Sequence, residues 1–190
     1  MKYLVTFIWS VLFVIWAYIN IVHSRTPAIE LTPYVKTPVY ALATDATPEF
    51  NRAVNLIAKY GNSDEFYGYM KSKRKTFSHT PMTRDQAISH FRAQLDRADL
   101  IPVDMLDEKD KLFQGGWYVG GFNHKDQSIK ENKYFRFFRP RDRAGHLLHE
   151  TAHKYGFQHA GNDMHSNDNL NSFPYAAGID FIEFLELKGE

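Results

Sequence analysis

The hydrophobic pattern of the chain opens with an almost unbroken apolar run over residues 3–22. A run of about 20 apolar residues is long enough to cross a bilayer as a helix, and Lys2 supplies the basic start of a secretory signal. Residues 1–24 are therefore interpreted as a signal peptide or as an uncleaved membrane anchor. Trp9 and Trp16 are large for a cleaved signal, and a buried core helix is rarely so uniformly apolar. Both favoured interpretations export the rest of the chain.

The next stretch, residues 25–46, has no helical period and contains three prolines. This pattern predicts an extended lead-in that is compatible with an edge strand. The folded domain is expected over residues 47–190. Its first helix is predicted to begin at Thr47, an N-cap followed by Pro48 at the first helical position, and to end at Gly61.

A second helix is predicted from the capping box formed by Thr83 and Gln86, and Pro102 is expected to stop it. The segment between the two helices, residues 66–79, is aromatic and basic. Its basic run over residues 71–75 could be a polyanion patch, but only four basic residues occur and acids are near. A solvated face is the favoured interpretation.

The C-terminal half alternates strand and helix patterns. Residues 114–122 predict a short strand between glycine pairs, and residues 134–138 predict another that would border a cleft as an edge strand. Apolar residues at helical spacing over 176–187 predict a closing amphipathic helix. The order of the elements indicates an α+β fold, with helices packed against a sheet.

Composition narrows the classes of function. With 44% hydrophobic and 24% charged residues, the 190-residue chain has the composition of a globular protein. A net charge of +1 gives no basic field, so a nucleic-acid partner is not expected. The absence of cysteine excludes disulfides, thiolate zinc sites and cysteine nucleophiles. Histidines are then the natural metal ligands, and five of the nine lie within one short stretch near the C-terminus.

That stretch contains the pattern HExxHxxGxxH, which starts at His149. His149 and His153 stand four residues apart, so on a helix both imidazoles project from one face and can meet one ion. Gly156 is expected to end the helix in a left-handed conformation, after which the chain turns back and presents His159 as a third ligand. Three neutral imidazoles leave a fourth position open for water, which is the arrangement of a catalytic zinc.

Glu150 follows the first of these ligands. Its carboxylate can take a proton from a metal-activated water and later deliver that proton to a leaving amine. Asp142 is the predicted cap of the helix that carries both residues. The pattern therefore predicts one zinc ion per chain, with Glu150 as general base.

The motif resembles the metzincin clan of zinc metallopeptidases and fits its consensus at all five positions. The resemblance implies a twisted mixed sheet, an active-site helix, a cleft under an edge strand and a C-terminal helix. It implies these roles: zinc ligation by His149, His153 and His159, acid–base catalysis by Glu150, and the turn glycine at Gly156.

The sequence departs from the clan in the methionine-containing turn that lies beneath the metal. Met164 follows the third histidine too closely for that turn, and residues 171–175 contain no methionine. The second segment is the favoured equivalent, with Pro174 near the place of the methionine. Tyr175 would then donate a hydrogen bond to the oxyanion.

Two hypotheses of different class follow. The first is an exported or membrane-anchored zinc endopeptidase that acts on a peptide or protein substrate, with a membrane contact through residues 3–22. The second is an exported or membrane-anchored zinc-binding protein without catalytic activity, in which a fourth protein ligand closes the site; His146, Asp163 and His165 are the candidates. The intact Glu150 favours the enzyme.

Overall fold

The computed structural model describes residues 37–42, 47–106, 120–132, 139–161 and 166–190. All of them belong to one compact unit, Tyr34–Glu190. The apolar run over residues 3–22 and the strand predicted over residues 134–138 lie outside the described residues, as do Met164, Asp163 and His165. Within the described ranges, no helix combines the length and the apolar character needed to cross a bilayer.

The described chain alternates helices and strands. In order they are β1 (Val39–Leu42), α1 (Pro48–Tyr60), α2 (Asp64–Lys73), α3 (Arg84–Leu95), β2 (Leu100–Leu106), β3 (Gly120–Asn123), β4 (Ser128–Asn132), α4 (Pro140–Lys154), α5 (Asn167–Leu170) and α6 (Phe173–Leu187). The prediction of helices combined with a mixed sheet is confirmed at this level.

The four strands form one sheet in the order β1-β2-β4-β3. β1, β2 and β4 run parallel, and β3 pairs antiparallel with β4 at one edge. β1 is the outermost described strand on the other side and pairs Val39 with Leu100. Part of the predicted lead-in therefore belongs to the sheet, and the fold begins before Thr47. The alternation of buried Ile101 and Val103 with exposed Leu100 in β2 shows that one face of the sheet is packed against the helices.

The predicted helix starts are confirmed. The Thr47 hydroxyl accepts a hydrogen bond from the backbone of Phe50 at 3.2 Å, and Gly61 ends α1. Thr83 and Gln86 form the predicted capping box of α3. The predicted end of α3 was wrong, because the helix stops at Leu95 and Pro102 lies within β2.

The interpretation of residues 71–75 as a solvated face was incomplete, because part of this run belongs to α2 and makes ion pairs. Ser63 caps α2, whose Phe66 and Met70 are buried. Directly after the helix, the Arg74 guanidinium donates hydrogen bonds to both carboxylate oxygens of the fully buried Asp180, at 2.9 and 2.6 Å. This pair ties the end of α2 to α6, because a buried carboxylate needs a charged partner.

Helix α4 occupies the centre of the fold. It packs against α6, α1 and the strands β3 and β4, and Leu147, Leu148 and Ala152 on it are fully buried. The C-terminal helix is confirmed and begins a few residues earlier than predicted, at Phe173. Among the described elements, the motif helix α4 and the C-terminal helix α6 contact each other extensively.

Candidate metal centre

The ends of α4 are fixed by local signals in the sequence. At the start, the predicted cap was misplaced: Arg139 is the N-cap, and Asp142 lies at the third helical position, where it accepts a hydrogen bond from the backbone N–H of Arg139 at 3.1 Å. At the end, Gly156 has a φ of +92°, the left-handed conformation predicted for it. The N–H of Phe157 returns to the carbonyl of Ala152 at 3.1 Å, the bond that typically closes a glycine-ended helix. The chain is thereby directed back toward the helix face that carries the motif histidines.

The three predicted ligands converge. The Nε2 atom of His153 lies 3.2 Å from that of His149 and 3.1 Å from that of His159, and the Nε2 atoms of His149 and His159 are 3.3 Å apart. A tetrahedral zinc bound at about 2.0–2.1 Å separates its ligand nitrogens by about 3.3–3.4 Å. The three histidines therefore form one group able to hold a metal ion, with a spacing that suits zinc.

Hydrogen bonds to the backbone set the orientation of two of these imidazoles. The Nδ1 atom of His153 donates to the carbonyl of Phe157 at 2.9 Å, and that of His159 to the carbonyl of Gly161 at 2.6 Å. Because a carbonyl only accepts, Nδ1 carries the proton and Nε2 keeps its lone pair for a metal. Burial lowers the pKa of His149 to about 3 and also lowers the pKa of His153. His149 and His153 are thus neutral near pH 7, the form that coordinates metals.

The loop that carries His159 is held by Asn169, a residue that the sequence analysis missed. The buried Asn169 amide accepts from the N–H of Ala160 at 3.0 Å and donates to the carbonyl of the same residue at 2.6 Å. An asparagine in a polar segment carries no distinctive pattern, so no local signal marked it. Asn169 on α5 fixes the backbone next to the third ligand.

Glu150 lies beside the histidine cluster as predicted. It is buried, and its Oε1 atom is 4.0 Å from Nε2 of His149 and 3.1 Å from Nε2 of His146. Burial acts to raise the pKa of Glu150, but the hydrogen bond and positive charge of His146 outweigh it and lower this pKa to about 2. An ionised carboxylate therefore stands next to the metal position.

His146 is not part of the ligand group in this structure. Its Nε2 faces Glu150, and its Nδ1 faces Glu131 on β4 at 3.5 Å. Both ring nitrogens are thus directed at carboxylates, which argues against His146 as a fourth ligand. Glu131 lies outside the motif, and sequence reasoning did not identify it.

Tyr175 reaches the site from the first turn of α6. Its ring centroid lies 4.6 Å from that of His149 and 4.8 Å from that of His159. Of residues 171–175, the predicted equivalent of the methionine turn, Asn171 ends α5, Ser172 is the N-cap of α6, and the last three form the first turn of α6. Pro174 is buried in that first turn.

A pair of glycines lets α4 and α6 approach closely beside the site. A Cβ atom added at Gly178 would lie 2.9 Å from the carbonyl oxygen of Gly145 and 3.2 Å from Cβ of His149. One added at Gly145 would lie 2.5 Å from the side chain of Ile182. Larger residues at either position would push α6 away from the helix that carries the ligands.

No family model, curated protein or solved structure matches this chain. The evidence for function is therefore the motif and the geometry of the histidine cluster.

Proposed function

We propose that this protein is a zinc-dependent endopeptidase of the metzincin type. His149, His153 and His159 would hold one zinc ion, and Glu150 would be the general base. The observation that carries the proposal is the buried Glu150 carboxylate 4.0 Å from Nε2 of His149, beside three convergent imidazole nitrogens. A buried carboxylate is costly, and the role of general base accounts for its place beside the metal ligands.

The proposed chemistry divides between the metal and the chain. A zinc ion held by three imidazoles supplies Lewis-acid activation of a peptide carbonyl and of a water molecule. Glu150 takes a proton from the attacking water at its carboxylate and passes the proton to the leaving amine nitrogen. Tyr175, whose ring lies against His149 and His159, would donate its hydroxyl hydrogen to the developing oxyanion.

The substrate is proposed to be a peptide or an extended segment of a protein. Among the described strands, β3 is the outermost on one side of the sheet, runs antiparallel to β4 and packs against α4, the helix that carries the ligands. An extended peptide can add to such an edge through backbone hydrogen bonds. The apolar run over residues 3–22 supports an exported location, as a cleaved signal or as a membrane anchor.

The test compares two alanine variants of the full-length chain. Glu150→Ala is expected to keep one zinc per chain and to lose at least about 100-fold in hydrolysis, the effect of a lost general base. His153→Ala is expected to lose both the zinc and the activity. Zinc is measured by elemental analysis, and hydrolysis by mass spectrometry of a mixed library of unstructured peptides.

Glu65→Ala is the matched control, because Glu65 is exposed at the start of α2 and its ion pair with Lys188 lies on the surface. It is expected to keep zinc and activity. Hydrolysis retained in Glu150→Ala would overturn the role of Glu150. A wild-type protein that binds zinc and cleaves no peptide would favour the second hypothesis, a zinc-binding protein without catalytic activity.

A further inference from the structure

Three buried ionisable side chains, Arg143, Glu131 and Glu150, and the half-buried His146 form a line that ends at the histidine cluster. Arg143 Nε lies 3.4 Å from one carboxylate oxygen of Glu131, and the other oxygen lies 3.5 Å from Nδ1 of His146. Nε2 of His146 then lies 3.1 Å from Oε1 of Glu150. Basic and acidic groups alternate along the line, so each buried charge has an opposite neighbour.

Glu131 is the unusual member of this line. It shares a face of β4 with Ile129, which is fully buried, so a core position is occupied by a carboxylate. Its side chain is only 4% exposed, and burying such a charge is costly unless partners compensate for the lost water. Arg143 and His146 supply these partners, because residues three apart on a helix lie on the same face. The arrangement connects the sheet to the motif helix through polar groups.

His146 links Glu131 to Glu150 through its two ring nitrogens. A carboxylate oxygen accepts hydrogen bonds, and His146 has such an oxygen at each ring nitrogen. To bond both, the imidazole must carry a proton on Nδ1 and on Nε2. Its Nε2–H then holds Oε1 of Glu150, the same atom that lies 4.0 Å from Nε2 of His149.

We propose that Glu131 and His146 are positioning residues: Glu131 holds the His146 ring, and the ring holds the Glu150 carboxylate toward the histidine cluster. The proposal rests on the proposed function in one respect, the role of Glu150 as base. A glutamate side chain has several rotatable bonds and would otherwise sample other rotamers. Charged hydrogen bonds from a buried, fixed donor remove that freedom.

The first test needs neither metal nor substrate. In a long-range ¹H–¹⁵N spectrum of the full-length chain near pH 7, His146 is expected to show both ring nitrogens protonated, and His146→Gln assigns its signals. A His146 with a single protonated ring nitrogen would overturn the proposal, because one of the two contacts could not be a donated hydrogen bond.

The second test uses acetohydroxamate and the cobalt-substituted protein, whose visible spectrum reports binding. The hydroxamate hydroxyl donates to a carboxylate beside the metal, so its affinity reports the orientation of Glu150. Glu131→Leu and His146→Leu are expected to bind acetohydroxamate about tenfold more weakly, with cobalt affinity changed by less than about twofold. Glu131→Gln keeps an acceptor for His146 and is expected to stay within about threefold of wild type.

The outcomes separate this proposal from the proposed function. Unchanged acetohydroxamate affinity in folded Glu131→Leu and His146→Leu overturns the positioning role. Loss of cobalt in these variants also overturns it, because the line would then serve the metal ligands and not Glu150. If Glu150→Ala binds acetohydroxamate as wild type does, the base assignment itself is wrong, whatever the spectrum of His146 shows. If the leucine variants do not fold, the ¹H–¹⁵N spectrum of the wild-type chain still decides the proposal, because it needs neither leucine variant.

Discussion

His146 and His149 lie one turn apart on α4, yet their surroundings give the two imidazoles opposite properties. Burial acts to lower the pKa of His146, but hydrogen bonds to Glu131 and Glu150 overcome it and raise the pKa to about 9. His149 faces two other imidazoles, and burial, the largest effect, lowers its pKa to about 3. The partner group thus decides whether a buried histidine is a charged donor or a neutral metal ligand.

The largest difference between the two histidines is expected in zinc affinity when each is replaced in turn. His149→Leu is expected to weaken zinc binding by at least about 100-fold, because zinc-site binding energies of about 10–16 kcal/mol correspond to a few kcal/mol per ligand. His146→Leu is expected to stay within about threefold of wild type, because its nitrogens face carboxylates and not the metal position.

Competition with a fluorescent zinc chelator measures both affinities on the same preparation. Circular dichroism of each variant without metal controls for loss of the fold. Equal losses in the two variants would show that His146 is a ligand, and the distinction between the two histidines would then be wrong.

A smaller effect, on the free energy of unfolding, is expected when Gly178, which packs against His149, is replaced. Gly178→Ala would place its Cβ 2.9 Å from the carbonyl oxygen of Gly145 and 3.2 Å from Cβ of His149. Overpacking of this kind costs about 1–3 kcal/mol in the free energy of unfolding. Urea denaturation measures this change, and the ¹⁵N signals of His146 are expected to stay as in the wild type.

Gly68→Ala is the matched control for that variant. Gly68 is exposed within α2, and a Cβ atom there would meet nothing within 4 Å. Replacing a helical glycine with alanine in open space stabilises a helix by about 0.5–1 kcal/mol. If Gly68→Ala is destabilised, or if Gly178→Ala is as stable as wild type, then the close approach of α4 and α6 does not explain the stability of these variants.

The features that could be predicted from the sequence are those whose geometry depends on residues close together in the chain. Thr47 and Thr83 mark helix starts through bonds that span three residues. The motif from His149 to His159 likewise lies within a helix and the turn that follows Gly156. Spacing alone determines such geometry, so the histidine cluster could be predicted without knowledge of the fold.

The parts that the sequence did not predict depend on contacts between distant residues. Glu131 is one polar residue in a short polar strand, and only the packing of β4 against α4 brings it to His146. Gly145 and Gly178 are far apart in the chain, and their approach appears only when α4 and α6 pack. The predicted end of α3 is wrong for a related reason. Pro102 does not stop a helix, because it pairs with the distant Ala41 and lies in β2.

The smallest predicted effect concerns the loop of the third ligand. Asn169→Ala removes both hydrogen bonds to Ala160 and is expected to weaken zinc binding by about tenfold, the lower end for residues that support a metal ligand. The effect is limited because His159 keeps its own bond to the carbonyl of Gly161. Chelator competition measures the loss, with Asn167→Ala as control, since Asn167 is exposed on the same short helix.

The direction of the Asn169 effect follows from the contacts that hold α5. The guanidinium of Arg74 donates to the carbonyl of Leu170 at 3.0 Å, and the N–H of Ser78 donates to that of Asn171 at 3.0 Å. Asn169 is therefore fixed independently of the metal, and its amide can hold the loop in place before zinc arrives. Its loss should reduce zinc affinity while the spectrum of His146 stays unchanged. If Asn169→Ala also changed the ¹⁵N signals of His146, the loop that carries His159 and the line of ionisable side chains from Arg143 to Glu150 would be coupled and would not support the site separately.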